Sequence, residues 1–139
     1  MRRVLALCLA GLASACVTTS EPAIDDLVEA ECLALLTPEE RAREELERGG
    51  LTIERYCTCY GSEVAALGEP EASTHLEILT AARTYRDSEQ VDGQVAIRAV
   101  RNAARDGEMP FTAEQARTWD DTFDETFDVA QDNPACGVN

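Results

Sequence analysis

Cys57 and Cys59 stand one residue apart in Arg55-Tyr56-Cys57-Thr58-Cys59-Tyr60-Gly61. The stretch around them is patterned as a helix. Ile53, Tyr56, Cys57, Tyr60, Val64 and Leu67 fall on one face at helical spacing. Thr52 precedes the stripe as a cap, Gly68 follows it and Pro70 lies beyond. Two residues along a helix turn the side chain through about 200°. The two thiols therefore diverge and cannot bond each other. Cys32 and Cys136 lie far to either side. Four cysteines allow three pairings, and the divergence removes one. In both survivors, Cys32 takes one member of the pair and Cys136 the other, tying the first and last segments to the central helix. Cys57 lies in the stripe, where an early helix should pack, so Cys32–Cys57 with Cys59–Cys136 is favoured. Cys32–Cys59 with Cys57–Cys136 stays open, since a cysteine at a stripe edge reaches either way. Each closed loop is worth about 3–5 kcal/mol by the chain-entropy treatment.

A small domain needs such staples. The chain has 139 residues and few aromatics, 5% in all, and alanine is abundant, which favours helices over strands. A core this small buries modest area. The expected fold is all-α, a bundle of about five to six helices stapled by two disulfides. Formal net charge is −15, and every one of the 12 basic residues is arginine. Beyond the first fifteen residues, 27 acids face 10 arginines, a net −17. Such a polyanion repels phosphate backbones, which excludes nucleic-acid binding.

The N-terminus reads as an address. Met1-Arg2-Arg3 is basic, Val4 to Leu12 is apolar, and Ala13-Ser14-Ala15 supplies small residues before a cut. This is a secretory signal peptide over residues 1–15, too short for a transmembrane helix. Cys8 leaves with it. Leu12-Ala13-Ser14-Ala15-Cys16 resembles a bacterial lipobox, although Ala13 stands where that pattern usually has leucine. The resemblance implies lipidation of Cys16, a membrane anchor, and a precursor of the bacterial lipoprotein type. Ordinary signal cleavage would instead give a periplasmic protein without the anchor. Val17 in place of an aspartate implies sorting to the outer membrane, facing the periplasm. Residues 16–22 form a tether, residues 23–136 the helical domain and residues 137–139 a tail.

Other helices follow from periodicity and caps. Ala23 to Leu36 carries Ile24, Leu27, Val28, Leu35 and Leu36 at helical spacing. Thr37-Pro38-Glu39-Glu40 reads as a capping box opening a polar helix to Arg48, with Leu46 its one sizeable apolar residue. Glu71 to Arg86 points Leu76, Leu79, Ala82 and Tyr85 inward. Ser88 to Arg105 does so with Val91, Val95, Ala99 and Val100. Thr112-Ala113-Glu114-Gln115 is a second capping box, opening a helix to about Gln131 with Ala116, Trp119, Phe123 and Phe127 inward.

Export favours disulfides over metal or redox chemistry. C-x-C is not the usual zinc spacing, and a thiol-exchange enzyme more often shows C-x-x-C beside strands. Thiol redox or metal binding through Cys57 and Cys59 is thus the alternative reading. Asp120-Asp121-Thr122-Phe123-Asp124 matches the DDxxD string that binds magnesium in isoprenoid synthases, but the chain is far too short for that class. Asp120, Asp124 and Asp128 are expected to form a solvated face. His75, the lone histidine, is expected at the surface or rim. No nucleophile elbow, phosphate loop, zinc-protease or dinucleotide motif occurs. Cys32, Tyr56, Cys57, Cys59 and Cys136 together resemble the C…YCxC…C layout of small bacterial envelope proteins, a likeness that implies no activity. The expectation is a non-enzymatic binding or structural module of the cell envelope. It has no cofactor and no metal, is held at the membrane by its anchor, and meets an envelope protein partner.

Overall fold

The structure is a computed structural model and describes residues 22–133 and Cys136. The expected signal peptide, the expected lipidation site Cys16, most of the expected tether and the tail lie outside the described residues. Six helices follow one another: α1 (Ile24–Leu36), α2 (Glu40–Arg48), α3 (Ile53–Leu67), α4 (Glu71–Glu89), α5 (Gly93–Arg105) and α6 (Ala113–Asp132). There is no strand among the described residues.

The central helix, α3, is the hub. Thr52 accepts a hydrogen bond from the Arg55 amide and caps it, as its sequence predicts. Tyr56, Cys57, Cys59, Tyr60, Gly61 and Val64 are all buried along it. Three helices pack around it. α1 runs antiparallel to it: Cys32 bonds Cys57, and the Asp25 carbonyl lies against Gly61. α6 is antiparallel too, with Arg55 reaching Ala130 while Tyr56 and Tyr60 meet Phe123. α4 lies beside α1 and parallel to it, since Glu31 pairs with Arg83 and Ala34 with Arg86. The core between them holds Val28, Leu35, Tyr60, Val64, Ile78, Leu79, Val100 and Trp119.

Both disulfides follow the favoured pairing, Cys32–Cys57 and Cys59–Cys136. Their Cα separations are 5.5 and 5.2 Å, inside the range a disulfide spans without backbone movement. Cys59 points away from Cys57 yet is equally buried, with Cys136 bonded to it.

Several local expectations are corrected. Thr37 does not open α2. It closes α1, its amide bonding the Leu33 carbonyl in helical geometry, and α2 starts after Glu39 without a side-chain cap. The inward face of α4 is Ala72, His75, Ile78, Leu79, Ala82 and Arg86, and Tyr85 turns outward. The chain extends α4 to Glu89 and ends it with Gln90 in the left-handed region. Asp92 then caps α5 by accepting the Val95 amide. That cap rotates α5 by one residue, so Gly93, Ala96, Val100 and Ala104 face in and Val95 faces out. Leu27 and Leu67, read as stripe residues, are exposed at the helix rims. The capping box of α6 forms in full, with both the Thr112 and Gln115 side chains bonded.

Candidate functional site

The four cysteines act together as two staples. Each member of the C-x-C pair is fully buried and bonded to a different partner. In this state neither carries a thiolate for exchange or for metal binding. No group of three or more His, Cys, Asp or Glu side chains is placed to hold a metal ion among the described residues.

His75 is not at the rim, as its position near a helix start suggested. It is 3% exposed, and its Nδ1 shares a hydrogen bond with the Tyr60 hydroxyl at 2.9 Å. Burial lowers the His75 pKa to about 4 and raises that of Tyr60. Both are neutral at physiological pH, and the pair satisfies two polar groups inside the core. The Tyr56 hydroxyl likewise donates to the Phe123 carbonyl.

Two arginines close helix ends. Terminal carbonyls of a helix lack intrahelical partners. Arg86, buried, donates through Nη1 to the Ala34 and Leu35 carbonyls of α1 and pairs with Asp87. Arg55 donates to the Ala130 and Asn133 carbonyls at the end of α6. Neither role was foreseen. An arginine in the apolar register of its helix, as Arg86 is, was the one available signal.

The open feature of the surface is a groove beneath α2. α2 crosses the molecule as a strap. Its start is held by Glu39, whose carboxyl group packs against Gly93 at the first turn of α5, where the helix dipole favours an anion. Its end is held by Gly49, which lies so close to Phe127 and Gln131 that a Cβ there would collide with both. Gln131 also donates to the Gly49 carbonyl at 2.9 Å. Leu46 and Leu51 pin the segment to the core.

Between the strap and helices α5 and α6 runs a cleft of about 530 Å³. It is lined by Leu36, Ala42, Ile97 and Phe123, with Glu39, Glu45, Asp92, Asp120 and Asp124 against Arg41, Arg98 and Arg101. A second hollow of about 720 Å³ continues it through Leu36, Phe123 and Asp124 to Tyr56, Phe127 and Gln131. Two of the arginines are occupied within the wall itself: Arg41 pairs with Glu45 at 3.1 Å and Arg101 with Asp120 at 2.6 Å. Asp120 is therefore not part of a freely solvated face, as its spacing with Asp124 and Asp128 suggested. Partial burial raises its pKa, and Asp124 and Asp121 push the same way against Arg101. Phe123 stacks on the buried Trp119 with ring centroids 5.3 Å apart, so the floor of the groove is continuous with the core.

The groove sits at one pole of the molecule. Leu36, at the C-terminal end of α1, lines it, whereas the first turn of α1 lies at the other pole, with Asp25 against Gly61. Thirteen residues of helix separate these ends by about 20 Å. No described helix is long and apolar enough to cross a membrane. No family model matches the chain, and no curated protein and no solved structure matches it either.

Proposed function

We propose that this is an exported envelope protein, anchored by lipid at Cys16, that acts as a non-enzymatic binding module with the groove beneath α2 as its contact surface. The observation that carries the reading is that groove: an aromatic and aliphatic floor, a charged rim and a strap tied at both ends. Concave surfaces that combine an apolar floor with placed polar groups are where ligands and partners seat, and here the rim is richly charged. Two features support the rest. Disulfides persist in oxidising compartments, and the signal-like N-terminus ends at Cys16. The tether joins the domain at the start of α1, about 20 Å from the groove. An anchor there is attached at the end of α1 opposite the groove.

Two experiments test the two halves. Cys16→Ser should move the protein from the membrane to the unanchored fraction; retention of that variant, with an unlipidated native N-terminus, counts against the anchor. For the groove, a photo-crosslinking residue replaces Gln94 or Arg48, which line it, or Glu63 or Glu77, which lie elsewhere and are exposed. A discrete adduct in intact cells from the groove positions alone is expected. Adducts of equal yield from all four positions, or from none, remove the groove as the contact surface.

A further inference from the structure

We propose that the groove seats a cationic amphipathic segment of another protein, its apolar side on Leu36, Ile97, Phe123 and Phe127 and its basic side toward Glu39 and Asp124. The proposal rests on the binding-module reading above and adds the chemistry of the partner.

Charge is the first argument. Past the signal-like stretch the chain carries 27 acids, 10 arginines and no lysine, so its long-range field attracts a basic partner and repels an acidic one. The cleft wall keeps the same bias, with five acids to three arginines. Arg41 and Arg101 are matched by Glu45 and Asp120, which leaves Glu39, Asp92 and Asp124 against Arg98. Shape is the second argument. The two hollows join into one channel floored by the partly buried Ile97, Phe123 and Phe127 beside the buried Leu36. An amphipathic helix laid along such a channel buries its apolar stripe and leaves its polar face toward the rim. A bare polycation would satisfy the rim but leave the floor exposed.

The molecule carries its own reporter. Trp119 is its one tryptophan, fully buried and stacked on Phe123, so occupation of the groove should change its fluorescence. Mature protein purified from the envelope is titrated with a synthetic Leu/Lys amphipathic helix, its Leu/Glu counterpart and an oligolysine of equal charge. The Leu/Lys helix should give a saturable change in Trp119 emission that weakens as salt is raised. The Leu/Glu helix should give none, and oligolysine should bind far more weakly. Replacing Glu39→Gln together with Asp124→Asn should weaken the Leu/Lys complex about fivefold, the yield of two partly exposed ion pairs. The remote pair Glu63→Gln with Glu77→Gln should change it less than about twofold. Equal weakening by the remote pair, or oligolysine binding as tightly as the amphipathic helix, would reduce the effect to general polyanion attraction and overturn the proposal. So would silence of Trp119 toward the Leu/Lys helix. The crosslinks from Gln94 and Arg48 do not depend on partner charge. A groove-specific adduct whose crosslinked segment is not basic therefore sinks this inference alone, whereas absence of any such adduct sinks the reading beneath it.

Discussion

α3 is held on two sides, and the two sides are built differently. Toward α1 the two backbones approach closely, beside the Cys32–Cys57 bond and the hydrogen bond from the Thr58 hydroxyl to Glu29. Gly61 lets the Asp25 carbonyl approach so closely that a Cβ would lie 2.7 Å from it, and the buried Arg86 locks the end of α1 through two carbonyls. Toward α6 the contact runs through side chains: Tyr56 and Tyr60 edge-on against Phe123, Phe127 under Gly49, and the half-buried Arg55 at the helix end. Each side has one disulfide, but Cys32–Cys57 joins two helices that already pack, while Cys59–Cys136 ties down a terminal segment. Backbone contacts have no rotamers to give, whereas aromatic side chains can shift. The groove lies on the side that can adjust, as binding surfaces tend to.

Breaking both sides at once should have the largest effect. Loops with sequence separations of 25 and 77 residues contribute about 3.5 and 4.5 kcal/mol by chain entropy. Their sum is comparable to the whole stability of a small domain. Full reduction should therefore unfold the protein at or near ambient temperature, seen as loss of helical circular dichroism. Separate removal sharpens the contrast. Cys59→Ala with Cys136→Ala should keep hydrogen-exchange protection in α1 and lose it in the last turn of α6. Cys32→Ala with Cys57→Ala should lose protection in α1.

Acid should strike the α3–α4 contact next. Tyr60 and His75 meet there, and burial holds the His75 pKa at about 4 against an ordinary 6.5. Between these values the unfolded chain binds a proton that the folded one does not. Stability is full above pH 6.5, falls as pH drops toward 4, and loses nothing more from this group below that. The loss is about 3 kcal/mol. A His75→Gln variant that still folds should show a flatter profile of melting temperature between pH 6.5 and 4. An unchanged slope would assign the acid sensitivity to other groups.

The two arginine caps and the two tight glycines compare the sides directly. Arg86→Met takes the donor from the buried Leu35 carbonyl and the part-buried Ala34 carbonyl of α1 and should cost about 2–3 kcal/mol, against about 1 kcal/mol for Arg55→Met at the more accessible end of α6. Gly61→Ala gains helix propensity but drives a methyl into backbone, and should cost about 1–3 kcal/mol net. Gly49→Ala meets only the ring of Phe127 and the amide of Gln131, which can turn aside, and should cost less than about 1 kcal/mol. Equal costs in urea melts would show that the α6 side is as rigid as the α1 side. The smallest effects belong to the acids of α6. Asp128→Asn should be silent within about 0.5 kcal/mol. Asp120→Asn, which breaks the pair with Arg101, should cost at most about 1 kcal/mol.

The sequence carried the hub and its staples because both rest on local geometry. A 3.6-residue period locates the buried face of α3, and the divergence of Cys57 from Cys59 dictates two partners. The capping box at Thr112 was legible for the same reason. The burial of His75 and Arg86 was not, since each depends on groups far along the chain, the Ala34 carbonyl lying 52 residues from Arg86. In α5 the valines misplaced the inward face by one residue. Its true face is Gly93, Ala96, Val100 and Ala104, small side chains that add little to a hydrophobic pattern. The groove draws its walls from the end of α1 and from α2, α5 and α6, and no local pattern announces a surface shared by distant segments.

The order of the two disulfides along the chain has a topological consequence. Cys32–Cys57 closes one covalent ring and Cys59–Cys136 closes the next, so the rings follow each other without overlap. Between Cys32 and Cys136 only the two peptide bonds that flank Thr58 lie outside a ring. Thr58 sits within α3, its hydroxyl bonded to Glu29 and to the Glu54 carbonyl. A protease that cut the Gly49-Gly50 turn, or any other exposed turn between the helices, would open a ring without releasing a fragment. The nicked protein would migrate as one chain until reduced, and the α2 strap would stay fastened at both ends after its own turn was severed.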